Sequence, residues 1–139
     1  MADTVGASGR YVLGDLNTWV PNTVPGVTDN VWDVHMPAAN DVWAITGGTS
    51  SGVLLHLRPG TSVWTILDAG TPLNGVWAAG PNDAWAAGPG GAVFHYTGGA
   101  LRRVDAGTSE TFARIYGVSP DLIWATTIDG GVFEYSPPN

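Results

Sequence analysis

The stretch GVWAAGPNDAWAAGPGG, residues 75–91, holds two tryptophans, Trp77 and Trp85, each preceded by a small apolar residue and followed by alanine. A Gly-Pro-Asn-Asp turn separates them, and a second cluster of glycine and proline closes the stretch. Two short apolar runs divided by turn residues read as a pair of strands, because glycine and proline punctuate a chain too often here for a helix to form.

The phrase recurs twice. VWDVHMPAANDVWAITGG starts at Val31 and IYGVSPDLIWATTIDGG at Ile115, each with an aromatic, a turn holding Pro and Asp, a tryptophan and a glycine-rich turn. The first aromatics align as Trp32, Trp77 and Tyr116, and the second as Trp43, Trp85 and Trp124. After each comes a short alternating run, GVLLHL, AVFHY or GVFEY; His56 to His95 spans 39 residues, as does Trp85 to Trp124. A fourth run, SVWTILDAG or LRRVDAG, follows the first two copies but not the third, and NTWVPNTV near the beginning supplies a similar segment. Steps of 13 residues from Trp19 to Trp32, Trp64 to Trp77 and Arg103 to Tyr116 set these outer runs in one frame. Self-similarity at this period marks a repeat architecture. The chain reads d, abcd, abcd, abc, where each letter is a short strand.

Composition agrees. The 139 residues are 44% hydrophobic and only 12% charged, with 20 glycines, 10 prolines and 7 tryptophans. No window sustains a helical period. Asp129-Gly130-Gly131 is a good hairpin turn, since glycine accepts positive φ. Asp41, Asp83 and Asp121 precede each second tryptophan by two or three residues, where an aspartate bonds amides of its own turn.

Four strands and about forty residues per unit, with an aromatic on each of the first two strands, resemble the β-propeller superfamily. The repeat looks like that of tryptophan-rich bacterial blades, VWxxGPNDxWAxG followed by GxxxHY, a form that residues 76–96 match best. The Gly-His and Trp-Asp dipeptides of WD40 repeats are not in their expected places, and Trp32-Asp33 falls in strand a. The resemblance implies an all-β propeller of four-stranded antiparallel blades, three per chain. Residues 1–16 form an N-terminal segment and residues 17–139 the three-blade unit. Within it, 17–30 carry a strand d, 31–74 the first blade, 75–113 the second, and 114–139 a third without its own strand d.

Three blades do not close a ring that takes four to eight. A homodimer gives six, with residues 17–24 of one chain completing the partner's third blade around residues 131–135. This arrangement resembles oligomeric propeller lectins. A piece of a larger propeller, or a designed one, is the alternative.

The formal charge is −7, all five basic residues are arginines, and no cationic footprint for nucleic acid or an anionic membrane is expected. The first ten residues have no apolar signal region, and no apolar run reaches bilayer length, so a soluble protein of unassigned compartment is expected. Cysteine is absent, which excludes disulfides and thiolate metal sites. The spacing of His35, His56 and His95 offers no metal set, and no cofactor motif is present. There is no Gly-x-Ser-x-Gly, and the Gly88–Gly91 run lacks the lysine of a phosphate loop, so no catalytic residue is assigned.

Residues that recur with the repeat serve the blade, which accounts for His56, His95 and the inner tryptophans. Trp19, Trp64 and Arg103, on the outer strand, are the candidate ligand-binding residues, as aromatic faces and polar forks suit a sugar. Asp33 and His35, on strand a, are candidates toward the central channel, where a hydrolase or lyase site is the weakest reading. The expected function is a non-catalytic, lectin-like binding module, with a protein-interaction scaffold as the alternative.

Overall fold

The computed structural model describes residues 19–27, 29–47 and 51–137. The first sheet holds β1 (Asn30–Ala38), β2 (Asp41–Gly47), β3 (Val53–Leu57) and β4 (Trp64–Asp68), antiparallel and in chain order. The second holds β5 (Gly75–Gly80), β6 (Asp83–Ala87), β7 (Ala92–Tyr96) and β8 (Leu101–Asp105) in the same way. The third has, among the described residues, three strands, β9 (Phe112–Ser119), β10 (Leu122–Thr127) and β11 (Val132–Tyr135). No strand crosses between sheets, so each forms as a local meander of sequence neighbours.

The second sheet lies between the other two and is buried on both faces. Its Val76, Ala78, Ala84, Ala86, Ala92, Phe94 and Tyr96 share one core with Trp43, Ile45 and Leu54 of the first sheet. Its Trp77, Trp85, Ala87 and Val93 share another with Phe112, Ile115, Ile123 and Ala125 of the third. The period-two alternation of β5 to β8 thus feeds two cores. Each blade has a front, which meets the following blade, and a back, which meets the preceding one. Alanine dominates the back of β6 because the indole of Trp43 needs a shallow surface to lie on.

The connections tighten the stack. The Leu73 amide donates to the Thr46 carbonyl (3.2 Å) and the Phe112 amide to the Gly88 carbonyl (3.1 Å), so each blade enters by bonding to its predecessor. At the short 3-10 turn Pro89–Gly91, Gly91 has φ +74, and a Cβ there would lie 1.8 Å from the Thr108 carbonyl oxygen. That turn is a close crossing of backbones.

Register corrects two sequence alignments. Trp77 pairs with Trp85 and Tyr116 with Trp124, but the partner of Trp43 is His35, not Trp32. A bulge between Val31 and Asp33 displaces Trp32, whose ring lies against Gly47. The paired positions keep one spacing, eight residues from His35 to Trp43, Trp77 to Trp85 and Tyr116 to Trp124, and Trp32 lies three residues ahead of His35. Likewise Trp64 pairs with Leu57 and Arg103 with Phe94, which makes Leu101 the counterpart of Trp64 and Ile66 that of Arg103. The 13-residue steps therefore do not mark one register. In the expected strand d of residues 17–24, residues 17 and 18 fall outside the described residues and 19–24 carry no strand. The glycine- and serine-rich stretch GGTSSG ahead of β3, which reads as a lengthened hairpin loop, has residues 48–50 outside the described residues.

Gly117 shows how closely neighbouring blades fit: a Cβ there would sit 2.9 Å from the Trp77 ring. Gly117→Ala is expected to lower stability by about 1–3 kcal/mol, the usual cost of forcing an extra carbon into a packed core. Urea unfolding at neutral pH, followed by tryptophan fluorescence, checks this; an unchanged midpoint would mean that the Trp77 ring is free to move aside.

Candidate functional site

The inner histidines belong to a three-residue unit that occurs twice. His56 stacks on Trp43 at 3.6 Å between ring centroids, and His95 on Trp85 at 3.9 Å. Cross-strand pairing of β2 with β3 and of β6 with β7 places each histidine directly beside its tryptophan. Each histidine Nε2 bonds an aspartate Oδ1 at 2.7 Å, His56 to Asp41 and His95 to Asp83. The aspartates ahead of the tryptophans thus hold a histidine on the next strand rather than an amide of their own turn. The indole nitrogens of Trp43 and Trp85 are buried with no hydrogen-bond partner among the described residues. This holds at both junctions and so belongs to the construction of the blade. In the third blade Glu134 pairs with Trp124 at the histidine position, and Asp121 is exposed, so the unit is not repeated.

Asp33 and His35 are placed together on β1, facing the second blade. Asp33 accepts the Val34 amide on Oδ1 (2.9 Å) and the Val76 amide on Oδ2 (3.1 Å). His35 accepts the Ala78 amide on Nδ1 (3.0 Å), and its ring tilts over Trp77. Both side chains stitch β5 to β1, which gives them a structural task at the position read as channel-facing. A shallow hollow beside them is lined by His35, Met36, Trp77, Val118 and Pro120.

The outer candidates do not converge. Trp19 is 97% exposed. Trp64 is half-buried in a hollow with Asn22, Thr23, Pro25, Ser62 and Val63. Arg103 lies on the other four-stranded sheet, its guanidinium 5.9 Å from the Phe94 ring centroid. Sequence reasoning picked Trp64 but missed its polar neighbours, because Asn22 and Ser62 are far apart in sequence and carry no motif.

A groove of about 170 Å³ opens between the second and third blades, lined by Trp85, Val104, Phe133 and Tyr135 among others. Its outer end continues past His95, Thr97 and Arg102. It was not foreseen; it opens beside β11, which no fourth strand flanks among the described residues. Among the described residues, no group of three or more histidines, cysteines or carboxylates gathers as a metal site. Nor is any described helix long and apolar enough to cross a membrane.

No family model matches the chain, and no curated protein matches it. Among solved structures, "YCF48 bound to D1 peptide", a β-propeller protein, superposes with a TM-score of 0.63 at 17% sequence identity. The match covers 81% of this chain and 39% of that one, so the chain spans about two-fifths of that structure. The likeness, with the three antiparallel sheets, shows a propeller-like fold.

Burial holds His35 and His56 below the usual histidine range, against the opposing pull of Asp33 and Asp41 on His35 and of Asp41 on His56. A histidine whose folded pKa is depressed takes up its proton more readily when unfolded, so its stabilisation is present above about pH 6.5 and is lost as pH falls through the folded pKa. Protonation of His35 Nδ1 also ends its bond to the Ala78 amide. The urea midpoint is expected to fall between pH 7.5 and pH 5, with a shallower fall in His35→Ala; identical slopes would remove His35 from the account.

Proposed function

We propose that this chain is a non-catalytic binding or scaffold module whose working form is a six-bladed ring of two copies. The observation that carries the reading is the exposure of one repeated residue. Trp43 is 0% exposed and Trp85 2%, each under the back of a following blade, whereas Trp124 is 47% exposed. Tyr116, Val118 and Val132 lie open on the same front.

The opposite end of the stack has the matching deficit. Val76 and Ile115, on the backs of the second and third blades, are buried, but Val34, their counterpart on the first, is exposed. Met36 is exposed beside it, while Ala44 and Leu55 further out on that face are already buried. Both internal junctions set a ring on strand a against the residue after its counterpart: His35 on Ala78, and Trp77 on Gly117. Continuing the series puts Tyr116 of one copy on Met36 of the other. Two identical junctions then follow from twofold symmetry.

A second reading, carbohydrate binding, is favoured by the Trp64 hollow. It joins an indole to the amide of Asn22 and the hydroxyls of Thr23 and Ser62, a combination that suits a sugar ring stacked on one face and hydrogen-bonded at its edge. Two copies present two such sites, and multivalency raises the avidity of weak ones.

Sedimentation equilibrium is expected to give twice the chain mass. Trp124→Ala should weaken association by about thirtyfold or more, the scale of a buried interface aromatic, with little change in the urea midpoint of the separated chains. A monomer at every concentration overturns the ring. On a glycan array the dimer is expected to bind at least one sugar class and Trp64→Ala to bind none; a blank array with folded dimer ends the carbohydrate reading and leaves the scaffold.

A further inference from the structure

We propose that residues 20–26 of one chain form the fourth strand of the third blade in the second copy, antiparallel to β11, with Val20 seated in the groove over Trp85. The proposal rests on the two-copy reading above and fixes its register.

Three seven-residue frames coincide. Trp64 to Gly70 reads WTILDAG, Leu101 to Gly107 reads LRRVDAG, and Val20 to Gly26 reads VPNTVPG. All three end on a glycine with positive φ, at +72, +76 and +84. The approach to the next strand also agrees, since Gly107 to Ile115 and Gly26 to Val34 are both 8 residues apart. Val34 and Ile115 hold the same register position, opposite Ala44 and Ala125. In this frame Val20 corresponds to Leu101, and Thr23 to Leu67 and Val104.

The frame predicts contacts that are present. Leu67 of β4 and Ala69 just after it pack on the same core cluster as Leu101 of the next blade. Their counterparts, Thr23 and Pro25, line a hollow with Trp64, the counterpart of Leu101. The segment therefore already lies against the first blade where the outer strand of a preceding blade belongs, and that blade's three inner strands are what it lacks. The third blade lacks the reverse. Leu101 pairs with Tyr96 and packs on the Trp43 cluster, but no described residue takes that place beside Tyr135 over Trp85. The groove of about 170 Å³ has room for a branched aliphatic side chain there. The free edge of β11 offers its unpaired backbone groups to an added strand. Pro21 is tolerated because the added strand is outermost.

The register pairs Thr23 of one copy with Val132 of the other. Directly opposed residues in an antiparallel pair lie about 4.5–5.5 Å apart at Cα, within disulfide range. The chain has no cysteine, so a Thr23→Cys/Val132→Cys double variant of the full chain reports this pairing alone. Under mild oxidation it is expected to run as a covalent dimer on a non-reducing gel. Asn22→Cys/Val132→Cys, one residue out of register and on opposite faces, should not cross-link. A dimer by sedimentation that fails to link through positions 23 and 132 overturns the strand assignment and spares the ring. Equal linking of both pairs overturns the register. A disulfide closed within single chains overturns the exchange, and a persistent monomer overturns both the exchange and the ring.

Discussion

An indole on the second strand of a blade is taken out of water only by the back of the blade that follows. The rest of the molecule is arranged around that dependence. The stacked histidine covers one side of Trp43 and of Trp85, and the aspartate ahead of each tryptophan fixes that histidine by its Nε2. The remaining side needs a shallow apolar floor, which explains the run of alanines on β6 and the aliphatic pair Ile123 and Ala125 on β10. A blade is thus half of a core, and stability comes from adjacency more than from any single sheet.

The pairing of candidate residues with tasks changes accordingly. Asp33 and His35 are polar and neighbours on the first strand of a blade, features that suggest chemistry when viewed alone. Oδ2 of Asp33 and Nδ1 of His35 accept amides of β5, and Oδ1 of Asp33 the amide of Val34, so they serve to align the first strands of two blades. The outer surface is different in kind. Trp64 lies among amide and hydroxyl groups at a junction where the repeat diverges, and Arg103 occupies a position that the neighbouring blade gives to Ile66.

Much of the fold was legible because turn chemistry and period-two runs are local. Glycine, proline and aspartate mark the hairpins, and the 39-residue recurrence of His and Trp on β3, β6, β7 and β10 reflects strands of constant register. What misled was matching residue type over register. His35 stands eight residues ahead of Trp43, as Trp77 does of Trp85, so the counterpart of Trp77 is a histidine that no aromatic alignment would select. The outer strands drift because β9 starts four residues ahead of Tyr116, with a register shift at Thr126–Thr127, whereas β5 starts two ahead of Trp77. The connections that precede them are equal in length. The Trp64 hollow and the groove over Trp85 were illegible because they are made by residues distant in sequence.

The fit of Trp77 against Gly117, set beside that of His35 against Ala78, carries a consequence for how such a chain changes over time. A large ring meets a residue with no side chain, and a smaller ring meets an alanine whose amide it accepts. Each junction has its own matched sizes, so the blades are not interchangeable cassettes. Moving the third blade's place to a copy of the second would drive an indole into the alanine at position 78. Duplication alone therefore cannot lengthen this stack; every added blade must arrive with a compensating change in its neighbour, and the order of the repeats is written into the mismatch between them.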